Sequence, residues 1–104
     1  MESIVKMDLD GKVLKITLIG KLDAVKAPDL MEDLKTYGGQ GLEKIVYYTS
    51  ELEYISSAGL RAIIFSKQKV GGDAEIYFVA PQEAVLDVVN MSGLDNFLTI
   101  VDEM

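Results

Sequence analysis

The chain has 104 residues, a hydrophobic fraction of 49%, a charged fraction of 26% and a formal net charge of −7, which is the make-up of one globular domain and not of a disordered segment. Its ten Lys and Arg are scattered among 17 Asp and Glu, so no basic footprint for a nucleic-acid backbone is expected. His and Cys both number 0, which removes the commonest general base, the thiol nucleophile, the disulfide and the Cys/His metal site.

Residues 1–20 read as a β-hairpin. Val5, Met7 and Leu9 alternate, Asp10-Gly11 is a two-residue turn signal, and Leu14, Ile16 and Leu18 alternate again, with Gly20 expected to close the second strand. In "KLDAVKAPDLMEDLKTYGG", Ala27, Leu30, Leu34 and Tyr37 fall on one helical face. Asp23 is placed to cap that helix, Pro28 is tolerable in its first turn, and Gly38-Gly39 is expected to stop it. "KIVYY" at 44–48 suits a short strand buried on both faces, followed by a polar bridge, "TSELE". Two serines, Ser56 and Ser57, then open a helix whose apolar stripe is Leu60, Ile63 and Ile64 and whose stop is Gly71-Gly72.

"AEIYFVA" reads as another strand, and Pro81 as the first position of a helix carrying Val85, Val88 and Val89. "SGLDNF" predicts a turn and a short helix, and "LTIVD" a last strand. The order β-β-α-β-α-β-α-(α)-β predicts an α/β domain with a mixed sheet of four to five strands. The N-terminal hairpin supplies one antiparallel partner, the other strands are parallel, and right-handed crossovers put the helices mainly on one face. No apolar run approaches the roughly 18 residues of a spanning helix, and "MESIVKMDLDG" lacks the basic-then-apolar order of a signal peptide. The expected compartment is the cytoplasm, with no membrane partner and no direct nucleic-acid partner.

Few groups can carry chemistry. "GGQG" at 38–41 lacks the Lys and Ser/Thr of a phosphate loop and reads as a helix stop. Asp29, Glu32 and Asp33, and likewise Glu51 and Glu53, read as solvated surface, since nothing else converges on them. Tyr47, Tyr48, Met31 and Met91 read as core and edge packing. Ser66 and Lys69 have the Ser-x-x-Lys spacing of a serine–lysine nucleophile, but they lie late in a helix and away from any strand-to-helix turn. Ser56 and Ser57 remain. A serine before an apolar helical run is a preferred N-cap. A hydroxyl at a helix mouth is also a favourable place for a phosphate, because unpaired N–H groups and the positive end of the dipole stabilise the dianion. A serine hydrolase is the poorest reading, because no base is visible. No catalytic residue, cofactor or metal is expected.

"YISSAGLR", preceded by a short strand and followed by an apolar helix, resembles the signature of the anti-sigma-factor antagonists, single-domain STAS proteins. "GKLDAVKAPDL" resembles their G-x-L-D segment, and "VVNMSGLDNFLTIVD" their C-terminal end. The resemblance spans nearly the whole chain and implies one STAS domain over residues 1–104. It implies that Ser57 is the phosphorylation site, with Ser56 before it and Asp23 in the adjoining loop. Gly59 corresponds to the glycine that keeps the first helical turn open, and Leu60 to the leucine that anchors the helix. Two positions depart from the pattern: Ser56 and Tyr48 stand where many members carry aspartate.

The resemblance further implies a partner-switching regulator. The unphosphorylated form would bind an anti-sigma serine kinase and free the sigma factor, and a protein serine phosphatase would reset the phosphorylated form. The implied partner-binding residues are Asp23, Ser56, Ala58, Gly59 and Arg61, on a monomer or weak dimer. The alternative is an unphosphorylated STAS subunit docked on a transporter or its ATPase.

Overall fold

The alternating apolar residues of the N-terminus pair as expected. In the computed structural model, which describes residues 3–38, 41–70 and 74–104, β1 (Ile4–Asp10) and β2 (Val13–Leu22) form an antiparallel ladder from Ile4↔Ile19 to Asp10↔Val13. Gly11, at φ +63°, takes the left-handed turn position that its missing Cβ permits. Leu14, Ile16 and Leu18 are each 0% exposed, so the period-2 pattern puts this face of β2 in the core. Gly20 does not close the strand. It sits at a register irregularity with φ +83°, and β2 continues to Leu22.

The polar bridge is also strand. β3 runs from Lys44 to Ile55 and pairs in parallel with β2 from Val13↔Lys44 to Leu22↔Ile55. The long β2 supplies the hydrogen-bonding partner that "TSELE" lacks as an isolated sequence. Thr49 is buried and donates its hydroxyl to the Val79 carbonyl at 2.8 Å, while Ser50, Glu51 and Glu53 stay exposed. Ile45, Val46 and Tyr47 are buried in succession at the centre of the sheet, and Ile45 and Tyr47 join the core.

β4 (Glu75–Val79) and β5 (Thr99–Val101) add in parallel, giving the order β1-β2-β3-β4-β5. Because the four parallel strands follow one another in sequence order, right-handed crossovers place every connecting helix on the same face. These helices are α1 (Lys26–Lys35), α2 (Ser57–Phe65) and α3 (Glu83–Ser92). Together with the sheet they enclose one core, in which Leu30 and Leu34 of α1, Ala62 and Ile63 of α2, and Val85 and Val89 of α3 meet Leu14, Ile16, Tyr47 and Phe78. Tyr47 and Phe78, paired across β3 and β4, pack with ring centroids 5.4 Å apart at 60°.

Several helix boundaries and faces differ from the sequence expectation. α1 ends at Lys35 with Thr36 as its C-cap, and Gly38 lies in the following turn; Gly39, Gly71 and Gly72 lie outside the described residues. α2 passes into a π-helical turn over Ser66–Val70. Its buried positions are Gly59, Ala62 and Ile63, whereas Leu60 is half-buried and Ile64 is at the rim. Pro81 precedes α3, whose N-cap is Gln82, because the chain first makes a turn at Ala80, which has φ +51°. Met91 is 88% exposed on α3 and is not part of the core. After Gly93, the left-handed C-cap of α3, a short 3-10 turn (Leu94–Asn96) leads to β5, as "SGLDNF" suggests. No helix among the described residues is long and apolar enough to cross a membrane.

Among the described residues the core contains one unsatisfied hydroxyl. Tyr47 is fully buried, and its Oη has no hydrogen-bond partner. Desolvation pushes its phenol well above the ordinary range. Its polar neighbour, Ser66, donates its own proton to the Ile63 carbonyl. Tyr47→Phe should therefore leave stability within about 1 kcal/mol of wild type or raise it, as read from urea unfolding; a loss of more than about 2 kcal/mol would mean that the hydroxyl is bonded in solution.

Candidate partner-binding site

Ser57 stands at one end of the sheet because two strands end there together. The last pair of the β2–β3 ladder is Leu22↔Ile55, so the residues that follow each strand, Asp23 and Ser56, emerge side by side at the carboxyl ends of parallel strands. In open α/β sheets this edge is where sites form.

The two serines play different parts. Ser56 is the N-cap of α2, with extended backbone, and its Oγ accepts the Gly59 N–H at 3.2 Å. The same residue is tied to β2: its N–H donates to the Leu22 carbonyl at 2.9 Å and its hydroxyl to that oxygen at 3.3 Å. Ser57, the first helical residue, is exposed, and its hydroxyl makes no hydrogen bond among the described residues.

Gly59 is buried and lets the helix come this close. A Cβ there would lie 2.6 Å from the Leu22 carbonyl oxygen and 2.8 Å from Ile55 Cγ1. Its contribution is therefore the placement of its neighbours. Ala58 and Leu60 are half-buried against the core, and Arg61 is exposed. Arg61 lies four residues after Ser57, on the same side of the helix, and has no carboxylate partner among the described residues.

Asp23 organises the neighbouring loop. Its Oδ1 accepts the N–H groups of Val25 at 3.0 Å and Lys26 at 3.1 Å, and its carbonyl accepts that of Ala27 at 2.8 Å. It thus satisfies the first turn of α1 as the sequence suggests, although the helix proper begins three residues later. The Lys26 N–H, followed by that of Val25, holds the carboxyl below its ordinary range.

Two side chains at this end escape the sequence reading. Val25 in the Asp23 loop is 76% exposed, and Tyr54, opposite Lys21 at the end of β3, is 48% exposed. Large apolar groups left in water at one end of a domain are a common mark of a docking surface. Neither has a periodic signal, because both sit where helix and strand patterns break off. Tyr48, the second departure from the family pattern, lies seven residues before the end of β3 and is half-buried, so that difference belongs to the body of the sheet.

The remaining candidates are dispersed. Glu32 pairs with Lys35 at 3.0 Å and Asp29 with Lys26 at 3.9 Å, as solvated helix-face pairs. Ser66 is buried while Lys69 is exposed. No group of three or more acidic side chains among the described residues could hold a metal ion.

Comparison with known proteins agrees with this architecture. The family model of the STAS domain matches residues 5–104, and the chain belongs to the STAS domain family. An anti-sigma factor antagonist from Mycobacterium paratuberculosis superposes with a TM-score of 0.84 at 20% identity, over 99% of this chain and 88% of that one. The anti-sigma factor antagonist SpoIIAA in its unphosphorylated form gives a TM-score of 0.73 at 14% identity, over 97% of this chain and 89% of that one. The phosphorylated form of SpoIIAA, a Bacillus cell fate determinant, gives 0.73 at 17%, over 93% and 90%. No curated protein matches the sequence.

Two stability effects follow from the joint. Gly59→Ala should cost roughly 1–3 kcal/mol, because backbone and not only a flexible side chain must move, with Gly59→Ser at least as costly; urea unfolding reads both. For Asp23 the lowered folded pKa fixes the sign: the carboxylate stabilises the fold above the unfolded value, and that contribution is lost as pH falls through the folded value. Asp23→Ala should therefore flatten the decline in stability between about pH 5 and pH 3, as measured by thermal unfolding at a series of pH values.

Proposed function

We propose that this protein is an anti-sigma-factor antagonist working by partner exchange, and that the charge on Ser57 sets which partner it holds. The observation that carries this reading is the division between the two serines: Ser56 uses its hydroxyl to build the helix start, and Ser57 leaves its own exposed and unbonded. Membership of the STAS family and the fold shared with anti-sigma factor antagonists, one of them known in phosphorylated and unphosphorylated forms, support it.

In the unphosphorylated state the docking surface is the Asp23 loop together with the start of α2. Val25 and Tyr54 offer apolar anchors, and Arg61 offers an unpaired cation to an acidic group on an anti-sigma serine kinase. A phosphate on Ser57 adds about −1.5 to −2 charges. The helix N-terminus tolerates that charge, since no acidic residue occupies the first turn of α2. The interface does not, because a dianion is costly to desolvate without paired cations. Arg61, one turn away, would also be drawn to the phosphate and withdrawn from the partner. A serine phosphatase returns the protein to its binding form. The protein acts in this reading as a cytoplasmic regulator with no catalytic residue of its own.

The test is ATP-dependent labelling by the cognate anti-sigma kinase, with binding affinity measured alongside. Ser57→Ala should fold with stability within about 0.5 kcal/mol of wild type, bind the kinase and accept no phosphate. Ser57→Asp should fold, since a negative charge there is favourable by about 0.3–1 kcal/mol, yet bind more weakly. Ser56→Ala should lose about 0.5–2 kcal/mol of stability with its cap and still be labelled. Labelling that survives in Ser57→Ala and vanishes in Ser56→Ala would reassign the acceptor. A chain that no kinase labels, and that copurifies with a transporter ATPase, would replace the switch with a docking subunit.

A further inference from the structure

Away from Ser57, at the far end of α2, the helix side of the domain carries a cavity of about 520 Å³. It opens between the last turn of α2, β4 and the connection from α3 to β5, and Ile64, Ile76, Leu94 and Phe97 are among its lining residues. Among the described residues two polar side chains line it, Lys67 and Gln68, both from the π-helical turn that replaces the end of α2. A volume within roughly 300–1,000 Å³ and an apolar wall with a few placed polar groups are the marks of a small-molecule site, and π-helical turns recur at functional sites.

Lys67 is positioned and not merely present. Its Nζ donates to the Ala74 carbonyl at 2.7 Å, which holds the ammonium in place and leaves two of its three protons for another acceptor. It has no carboxylate partner among the described residues. At the rim, Phe97 is 61% and Ile64 37% exposed, so an apolar occupant would take both out of water.

We propose that this cavity binds an amphipathic anion, a carboxylate on an unbranched apolar chain, with the head group on Lys67 and the chain along the wall of Ile64, Ile76, Leu94 and Phe97. Charge complementarity selects this occupant: in a chain of net charge −7, the one charged side chain lining the cavity among the described residues is Lys67. The site is separate from the Ser57 surface and does not depend on the partner-exchange reading.

The full chain is titrated with sodium decanoate, sodium octanoate and 1-decanol, following the isoleucine and leucine methyl signals by NMR. Shifts should concentrate on Ile64, Ile76 and Leu94. Decanoate should bind tighter than octanoate by up to roughly fourfold for each added methylene, and tighter than decanol. Lys67→Gln should weaken decanoate about tenfold or more and leave decanol unchanged, whereas Lys67→Arg should keep most of the affinity. The amide spectrum reports whether each variant folds; if Lys67→Gln does not, the ratio of decanoate to decanol affinity in the wild type decides. Decanol binding as tightly as decanoate, or shifts scattered over the surface, would overturn the proposal. So would cavity signals that move with protein concentration alone, which would make a second copy of this chain the occupant.

Discussion

The carbonyl oxygen of Leu22 is the point at which sheet, loop and helix are joined. It receives both the N–H and the hydroxyl of Ser56, and the Gly59 backbone lies against it so closely that a Cβ would be 2.6 Å away. This joint exists only because β2 and β3 end in register at Leu22↔Ile55. That register in turn needs β2 to continue past Gly20 and β3 to absorb the polar stretch before the serines. Shorter strands would leave the Asp23 loop and the mouth of α2 without a common anchor.

From this joint the surface follows. Ser56 points its hydroxyl inward because it is bound at both ends, to the Gly59 N–H and to Leu22. The next residue is turned about 100° around the helix axis, so Ser57 faces water. Four residues on, Arg61 returns to the same side and is also exposed. In the proposed switch, a phosphate at Ser57 would meet unpaired N–H groups, a favourable dipole and a cation within one turn, so the modified domain would keep its fold while its surface charge changed. The proposed charge switch would need no unfolding, which suits a small domain with a single core, where local unfolding would cost much of the total stability.

The two ends of α2 are chemically distinct. Its start is polar, bonded to the sheet and ordered by Asp23 and Ser56. Its far end opens into a π turn beside an apolar cavity. Ile63 fastens the middle of the helix in the core, so the two ends belong to one rigid element.

The sequence alone determined the class of fold, the hairpin, the order of elements and the core face of β2, because period-2 alternation and turn chemistry are local properties that survive in any context. It also marked the helix mouth at the two serines, since cap preference depends on the residues immediately following. The tertiary structure decided the rest. "TSELE" looks like a loop until the far end of β2 lies beside it, and Gly20 looks like a stop until it is seen as an irregularity within a longer strand. Pro81 suits a helix start by local rule, but the turn at Ala80 displaces that start. Which serine caps, why position 59 has no room for a side chain, and where Val25, Tyr54 and Lys67 stand all depend on contacts with residues far away in the chain. Periodicity is written in neighbours; register, close approach and cavities are set by partners that the local sequence does not name.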